Sequence, residues 1–219
     1  MKFLIPIDFS DNSKHALNYA VHLADKIRAE VLLYHFVNIP IYSSDIPVVI
    51  PPEAELKEGA LLRLKEIRNE YRKKYPSVTI DCDVQAAINF PEDAIVREED
   101  SCKANLVIMG TKGSGHGTAN FLGSNTATIV ENSSCPVLAI PDEAPIDLPV
   151  KIAVAVNYAE KDMENIQQVI ELFRSMNTEL TLFHIAPEKE DISHADSELE
   201  GLAERLRSQN KIQSIHVKI

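Results

Sequence analysis

Hydrophobic and polar positions change period repeatedly along the chain, and each change marks an element. Residues 2–8, "KFLIPID", form a short apolar run consistent with a buried strand. Ser10 and Asp11 then offer a helix N-cap, and Ala16, Leu17, Ala20, Leu23, Ala24 and Ile27 follow at helical spacing. "EVLLYHFV" (30–37) reads as a second buried strand, and the proline-rich residues 38–52 as a long loop. Residues 53–75 predict an amphipathic helix stopped by Pro76. "VTIDCDV" (78–84) alternates as a third strand, and Pro91 opens a third helix with acidic residues in its first turn. "ANLVIMG" (104–110) is a fourth buried strand. A helix over 124–132 and a fifth strand, "CPVLAIP" (135–141), complete the series.

Strands alternating with helices imply parallel strands joined by right-handed crossovers, hence an α/β fold with a doubly wound open sheet of five strands. In such sheets ligands bind at the carboxyl ends of the strands, where the strand order reverses. Residues 142–150, rich in proline and acid, read as a linker. A repeat follows. Shifting the chain by 149 residues lays "KFLIPIDF" over "KIAVAVNY" and "EVLLYHFV" over "ELTLFHIA", with His35 over His184. A helix over 195–209 and a strand, "IQSIHVKI", extend this second copy to β-α-β-α-β, without a fourth strand or a glycine-rich loop. The sequence therefore predicts a full unit at 1–141 and an incomplete one at 151–219, where Asn157 replaces Asp8.

Composition narrows the functional classes. The net charge is −11, shared as −5 over residues 1–142 and −6 over the rest, which argues against a nucleic-acid or anionic-membrane binder. No apolar run approaches the roughly 20 residues needed to span a bilayer, and "MKFLIPIDFS" lacks the pattern of a secretory signal, so a cytoplasmic protein is expected. Cys82, Cys102 and Cys135 form no Cys-x-x-Cys pair and read as buried free thiols. His15 and His22 are seven apart on the first helix, not at zinc-binding spacing, and no Ser-His-Asp arrangement is evident.

Glycine is the concentrated resource. Of 7 glycines in 219 residues, five lie in "GTKGSGHGTANFLGSNTA" (110–127): Gly110, Gly113, Gly115, Gly117 and Gly123. The phosphate-binding pattern G-x-x-x-x-G-K-[ST] fails because His116 follows Gly115 where lysine is required. The dinucleotide pattern G-x-G-x-x-G fails at Thr118 and Asn120. What remains is Gly110-x-x-Gly113, nine residues, then Gly123-Ser124.

With "LIPIDFSDNSKHAL" at the start, "NLVIMGTKG" before the loop and "SSCPVLAIP" after it, this spacing strongly resembles the universal stress protein family. The resemblance covers 1–141 as a full domain and 151–219 as a truncated second one. It implies a sheet of the adenine nucleotide alpha hydrolase-like type and, in the family's nucleotide-binding branch, a site for ATP or AMP, with or without Mg²⁺. Gly110 and Gly113 can then adopt positive φ and leave amides open to an anion, with Gly115 and His116 in the same loop. Gly123, Ser124, Asn125 and Thr126 open a helix whose amides and dipole favour phosphate, although the family often has an apolar residue where this chain has Asn125. The side chains of Lys112 and His116 are either charge partners or solvated. By the same resemblance Asp8 holds a ribose hydroxyl, its alternative being a helix cap. Ile7 and Phe9 flank it beside the adenine, Val37 reads the adenine edge through its backbone, and Met109 packs near the ring or belongs to the core.

The resemblance also implies a stress-response or regulatory nucleotide-binding protein, with no catalytic residues and at most slow ATP hydrolysis. A non-nucleotide-binding dimerisation module of the same family is the alternative. A homodimer is expected through the strand Cys135–Pro141. An open edge at residues 151–158 is expected to pair with another chain.

Overall fold

A computed structural model describes residues 1–39, 52–87, 90–111, 123–157, 160–176, 178–185, 192–210 and 215–218. The chain divides into two compact units, Met1–Asp147 and Leu148–Ile219.

The first unit follows the pattern read from the sequence: β1 (Lys2–Pro6), α1 (Asp11–Ile27), β2 (Glu30–Asn38), α2 (Glu53–Lys74), β3 (Ile80–Ala87), α3 (Pro91–Cys102), β4 (Leu106–Gly110), α4 (Ser124–Asn132) and β5 (Val137–Ile140). The five strands form one parallel sheet in the order β3-β2-β1-β4-β5. β1 is therefore central, and the order reverses beside it. Strands buried on both faces carry continuous apolar runs. Phe3, Leu4 and Ile5 are fully buried, and all of β4 is buried. The third strand begins two residues later than its pattern suggests and runs on to Ala87, because its pairing with β2 continues to Asn38.

Right-handed crossovers put α1 and α2 on one face of this sheet and α3 and α4 on the other. The second face is closed by Leu4, Tyr34, Val107 and Met109 from the strands packing with Ala94, Ile95 and Ile129 from the helices. α1 starts where Ser10 accepts a hydrogen bond from the Ser13 amide at 3.2 Å. α1 and α3 both end on residues in the left-handed region, Arg28 (φ 59°) and Lys103 (φ 55°), where glycine is the common choice.

Glu99 ties α3 to the segment that leads into β5. It is 1% exposed, and its carboxyl group accepts from the Ser133 hydroxyl at 2.5 Å, the Ser134 hydroxyl at 2.7 Å, the Cys135 amide at 3.0 Å and the Ser134 amide. Ser134 is exposed and Ser133 and Cys135 are half-buried, so the Glu99 carboxyl group is the buried partner of each bond. His15 Nε2 lies 2.8 Å from the Ala144 carbonyl, so the first part of the proline-rich segment is tied to α1.

The second unit contains β6 (Lys151–Ala155), α5 (Glu160–Phe173), β7 (Glu179–Phe183), α6 (Ile192–Asn210) and β8 (Ile215–Lys218), with strands parallel in the order β6-β7-β8. The repeat holds at the level of register. Lys2 pairs with Glu30 and Pro6 with Tyr34; 149 residues later, Lys151 pairs with Glu179 and Ala155 with Phe183. Both crossovers run in one direction, so α5 and α6 share one face. There Ile166, Ile170, Leu199, Leu202, Ala203 and Leu206 pack on Val156, Leu180 and Leu182. Positions matching the α3/α4 face of the first unit have changed character. Ala153 stands at the place of Leu4 and is exposed, Thr181 stands at that of Leu32, and Ile185, at that of Phe36, is 79% exposed. Among the described residues no helix is long and apolar enough to cross a membrane.

Replacing Glu99 tests its part in this packing. Glu99→Gln is expected to destabilise the fold by about 1–3 kcal/mol and Glu99→Ala by at least as much, because the bonds made by the buried carboxyl group are lost. Urea unfolding followed by far-UV circular dichroism checks this, and midpoints equal to wild type would contradict it.

Candidate functional site

The carboxyl ends of β1 and β4 lie side by side, and the starts of α1 and α4 meet there. Gly110 ends β4. A Cβ built on it would lie 3.1 Å from the Asn12 carbonyl oxygen and 3.3 Å from the Asn12 Cβ. Its φ is not positive. The left-handed turn that glycine would allow at Gly110 is therefore not used; what a side chain would meet there is tight contact with the Asn12 backbone. Thr111, also buried, receives the Gly123 amide on its carbonyl at 2.6 Å. Thr126, 2% exposed, donates its hydroxyl proton to the Gly110 carbonyl at 3.1 Å. Two bonds across the intervening loop thus fix where α4 begins.

α4 starts without a side-chain cap and without an acidic residue in its first turn. Its N-cap, Gly123, is extended (φ −65°), and the side chains of Ser124 and Asn125 are exposed, with the Ser124 hydroxyl 3.3 Å from Asn125 Oδ1. A helix start of this kind presents amide N–H groups and the positive end of the dipole. The Thr126 hydroxyl proton faces the strand. Lys112, Gly113, Gly115 and His116 lie outside the described residues.

Asp8 follows β1, and its carboxylate is exposed at the sheet edge. Asp8 Oδ1 accepts from the Ser10 amide at 3.0 Å and the Ser10 hydroxyl at 2.5 Å, an Asx turn that orients the carboxylate. The cap of α1 is Ser10, not Asp8. Between them Phe9 is held at φ 65°, a region that L side chains enter at a cost of roughly 1–3 kcal/mol. Packing offsets that cost. The Phe9 ring lies 4.4 Å from the His35 ring, centroid to centroid, and the Arg63 guanidinium carbon lies 3.9 Å from the Phe9 ring centroid. His35 Nδ1 is 2.5 Å from the Ile7 carbonyl, so Nδ1 carries the proton that bonds it. Burial is the main influence that lowers the His35 pKa, and Arg63 adds to it; the Ile7 carbonyl and Asp8 oppose it. The imidazole is a neutral structural prop. Its counterpart His184 meets the Val156 carbonyl at 2.8 Å in the same way.

Ile7 is buried and Val37 half-buried at the end of β2. Met109 is 8% exposed within the core cluster of Leu4, Tyr34 and Ile129. Sequence reading missed Arg63, Thr111 and Asn12. Of these, only the helical spacing that brings Asn12 to the first turn of α1 was visible in the chain. Cys82, Cys102 and Cys135 are free and half-buried; burial pushes the Cys135 thiol up to about 11, which makes it a poor nucleophile. Among the described residues no cluster of His, Cys, Asp or Glu could hold a metal ion.

A sequence model described as the universal stress protein family matches residues 1–141. The chain belongs to the universal stress protein family. Universal stress protein MJ0531 of Methanocaldococcus jannaschii is 30% identical over 149 residues, which covers 64% of this chain and 81% of that protein. The fold resembles that of a universal stress protein from Archaeoglobus fulgidus, with a TM-score of 0.71 and 16% identity over 99% of this chain and 77% of that one. It also resembles universal stress protein UspA from Lactobacillus plantarum, with a TM-score of 0.54 and 21% identity over 64% of this chain and 97% of that one. The first likeness in fold extends through both units.

Adding a methyl group at Gly110 tests how tightly this edge is built. Gly110→Ala is expected to cost about 1–3 kcal/mol by overpacking against Asn12. Thermal unfolding measures it, and an unchanged midpoint would show that α1 can yield.

Proposed function

We propose that residues 1–141 bind ATP or AMP, with or without Mg²⁺, and that the protein is a cytoplasmic stress-response or regulatory nucleotide-binding protein. One observation carries the reading. The uncapped start of α4 and the oriented carboxylate of Asp8 stand on adjacent strand ends at the point where strand order reverses, and family membership supports the same edge. Phosphates are read by the amides of residues 123–126 and the loop of Gly110, Gly113, Gly115 and His116. Asp8 takes the ribose, while Ile7, Phe9, Val37 and Met109 surround the base. The chain acts by binding, with at most slow hydrolysis.

We read residues 142–150 as a linker and 151–219 as a partial second domain of the same type, in which Asn157 at the place of Asp8 leaves one nucleotide site per chain. β5 pairs only with β4 and β6 only with β7 among the described strands. Both are open edges, and they support a homodimer through Cys135–Pro141 and pairing of residues 151–158 with another chain. The β5 edge also suits the second reading, a dimerisation module of the family that leaves the loop empty.

Calorimetric titration separates the two readings. ATP or AMP is expected to bind with a Kd on the order of micromolar, and Asp8→Ala or Gly113→Val to weaken it about tenfold or more. A chain that is dimeric but binds neither nucleotide would overturn the first reading in favour of the second.

A further inference from the structure

The Phe9 stack has a direction. The Phe9 ring leans toward β2, where it meets His35, and so away from β4 and the start of α4. Arg63, an exposed residue of α2, closes that stack with its guanidinium carbon 3.9 Å from the ring centroid. Its neighbour Leu64 is fully buried, which anchors this turn of α2 against the sheet. Other arginines of the helix reach sheet atoms. Arg72 donates to the Ile80 carbonyl at 2.6 Å and Arg68 approaches Cys82 Sγ at 3.9 Å. Arg63 instead holds a planar cation at the carboxyl edge, beside the turn that carries Asp8.

The three ends of a nucleotide map onto this edge in order. Phosphates at the start of α4 lie on the β4 side, and a ribose on Asp8 lies at the end of β1. The base then continues toward β2, where Phe9 and Arg63 stand. A guanidinium is weakly hydrated and planar, and it stacks on aromatic faces in a way that a lysine ammonium does not. Resting on the nucleotide reading above, we propose that Arg63, backed by Phe9, forms the base-side wall of the pocket and contributes to affinity for the purine rather than for the phosphates.

The test compares ATP with AMP by calorimetry on the full chain. Arg63→Ala is expected to weaken both about five- to tenfold by the same factor, because both carry the same base. Arg63→Lys is expected to recover only part of the loss. Phe9→Leu, which keeps bulk but removes the ring, should make a further Arg63→Ala change nearly silent. Melting curves of Arg63→Ala should fall only slightly below wild type, since the side chain is exposed and the His35 contact still holds Phe9. Unchanged affinities in Arg63→Ala would overturn the proposal, and so would a loss much larger for ATP than for AMP, which would place the guanidinium on the phosphates. Wild-type protein that binds neither nucleotide would remove the functional reading itself, and this proposal with it.

Discussion

The candidate edge depends on one close approach. The backbone of Asn12 passes so near Gly110 that a Cβ there would lie 3.1 Å from the Asn12 carbonyl oxygen, and this holds the end of β4 against the start of α1. The Gly110 carbonyl then receives the Thr126 hydroxyl, and the Thr111 carbonyl receives the Gly123 amide. Two helix starts and two strand ends are thereby fixed within one small region. Interiors are close-packed and transmit such constraints with little slack. The start of α4 is consequently held in place, and under the proposed function this lowers the ordering cost of binding an anion.

The same edge holds a conformational cost. Phe9 sits in the left-handed region without being glycine, and a stack of His35, Phe9 and Arg63 stabilises it. Strain of this kind persists only where the surroundings over-determine the backbone. The second unit repeats the prop beneath it, His184 on Val156, in the same register. It does not repeat the helices of the second face, and its sheet residues there are smaller or more exposed than those of the first unit. A face that packs no helix has little use for a leucine at each turn of the pleat.

Most of the architecture was legible because the central strands of the first unit, β1 and β4, are buried on both faces and the helices on one. Apolar runs such as "NLVIMG" and the spacing of Ala16, Leu17, Ala20 and Leu23 could hardly be read otherwise, and the 149-residue repeat survived into the pairing of individual residues. Of the glycine cluster, Gly110 closes β4 and Gly123 precedes α4. The physical reason for Gly110 was read less well: positive φ was open to it, whereas among the described residues that region holds Phe9, Arg28 and Lys103, and Gly110 stands in a crowded contact with Asn12. Pattern alone cannot reveal a contact between residues far apart in sequence. Arg63 over Phe9, Thr126 on Gly110, and Glu99 beneath Ser133–Cys135 all join elements whose periodicity says nothing about each other. Glu99 is the plainest case, since it lies in the acidic run 98–100 and yet is the buried member.

A crystal structure of the chain grown with ATP tests the central claim most directly. The account predicts phosphate density on the amides of residues 123–126, a ribose hydroxyl on Asp8, and Gly110, Asn12 and Thr126 placed as they are without ligand. Density for the nucleotide at another part of the fold, or an α4 start that moves substantially to reach it, would contradict a site held ready by the contact between Gly110 and Asn12.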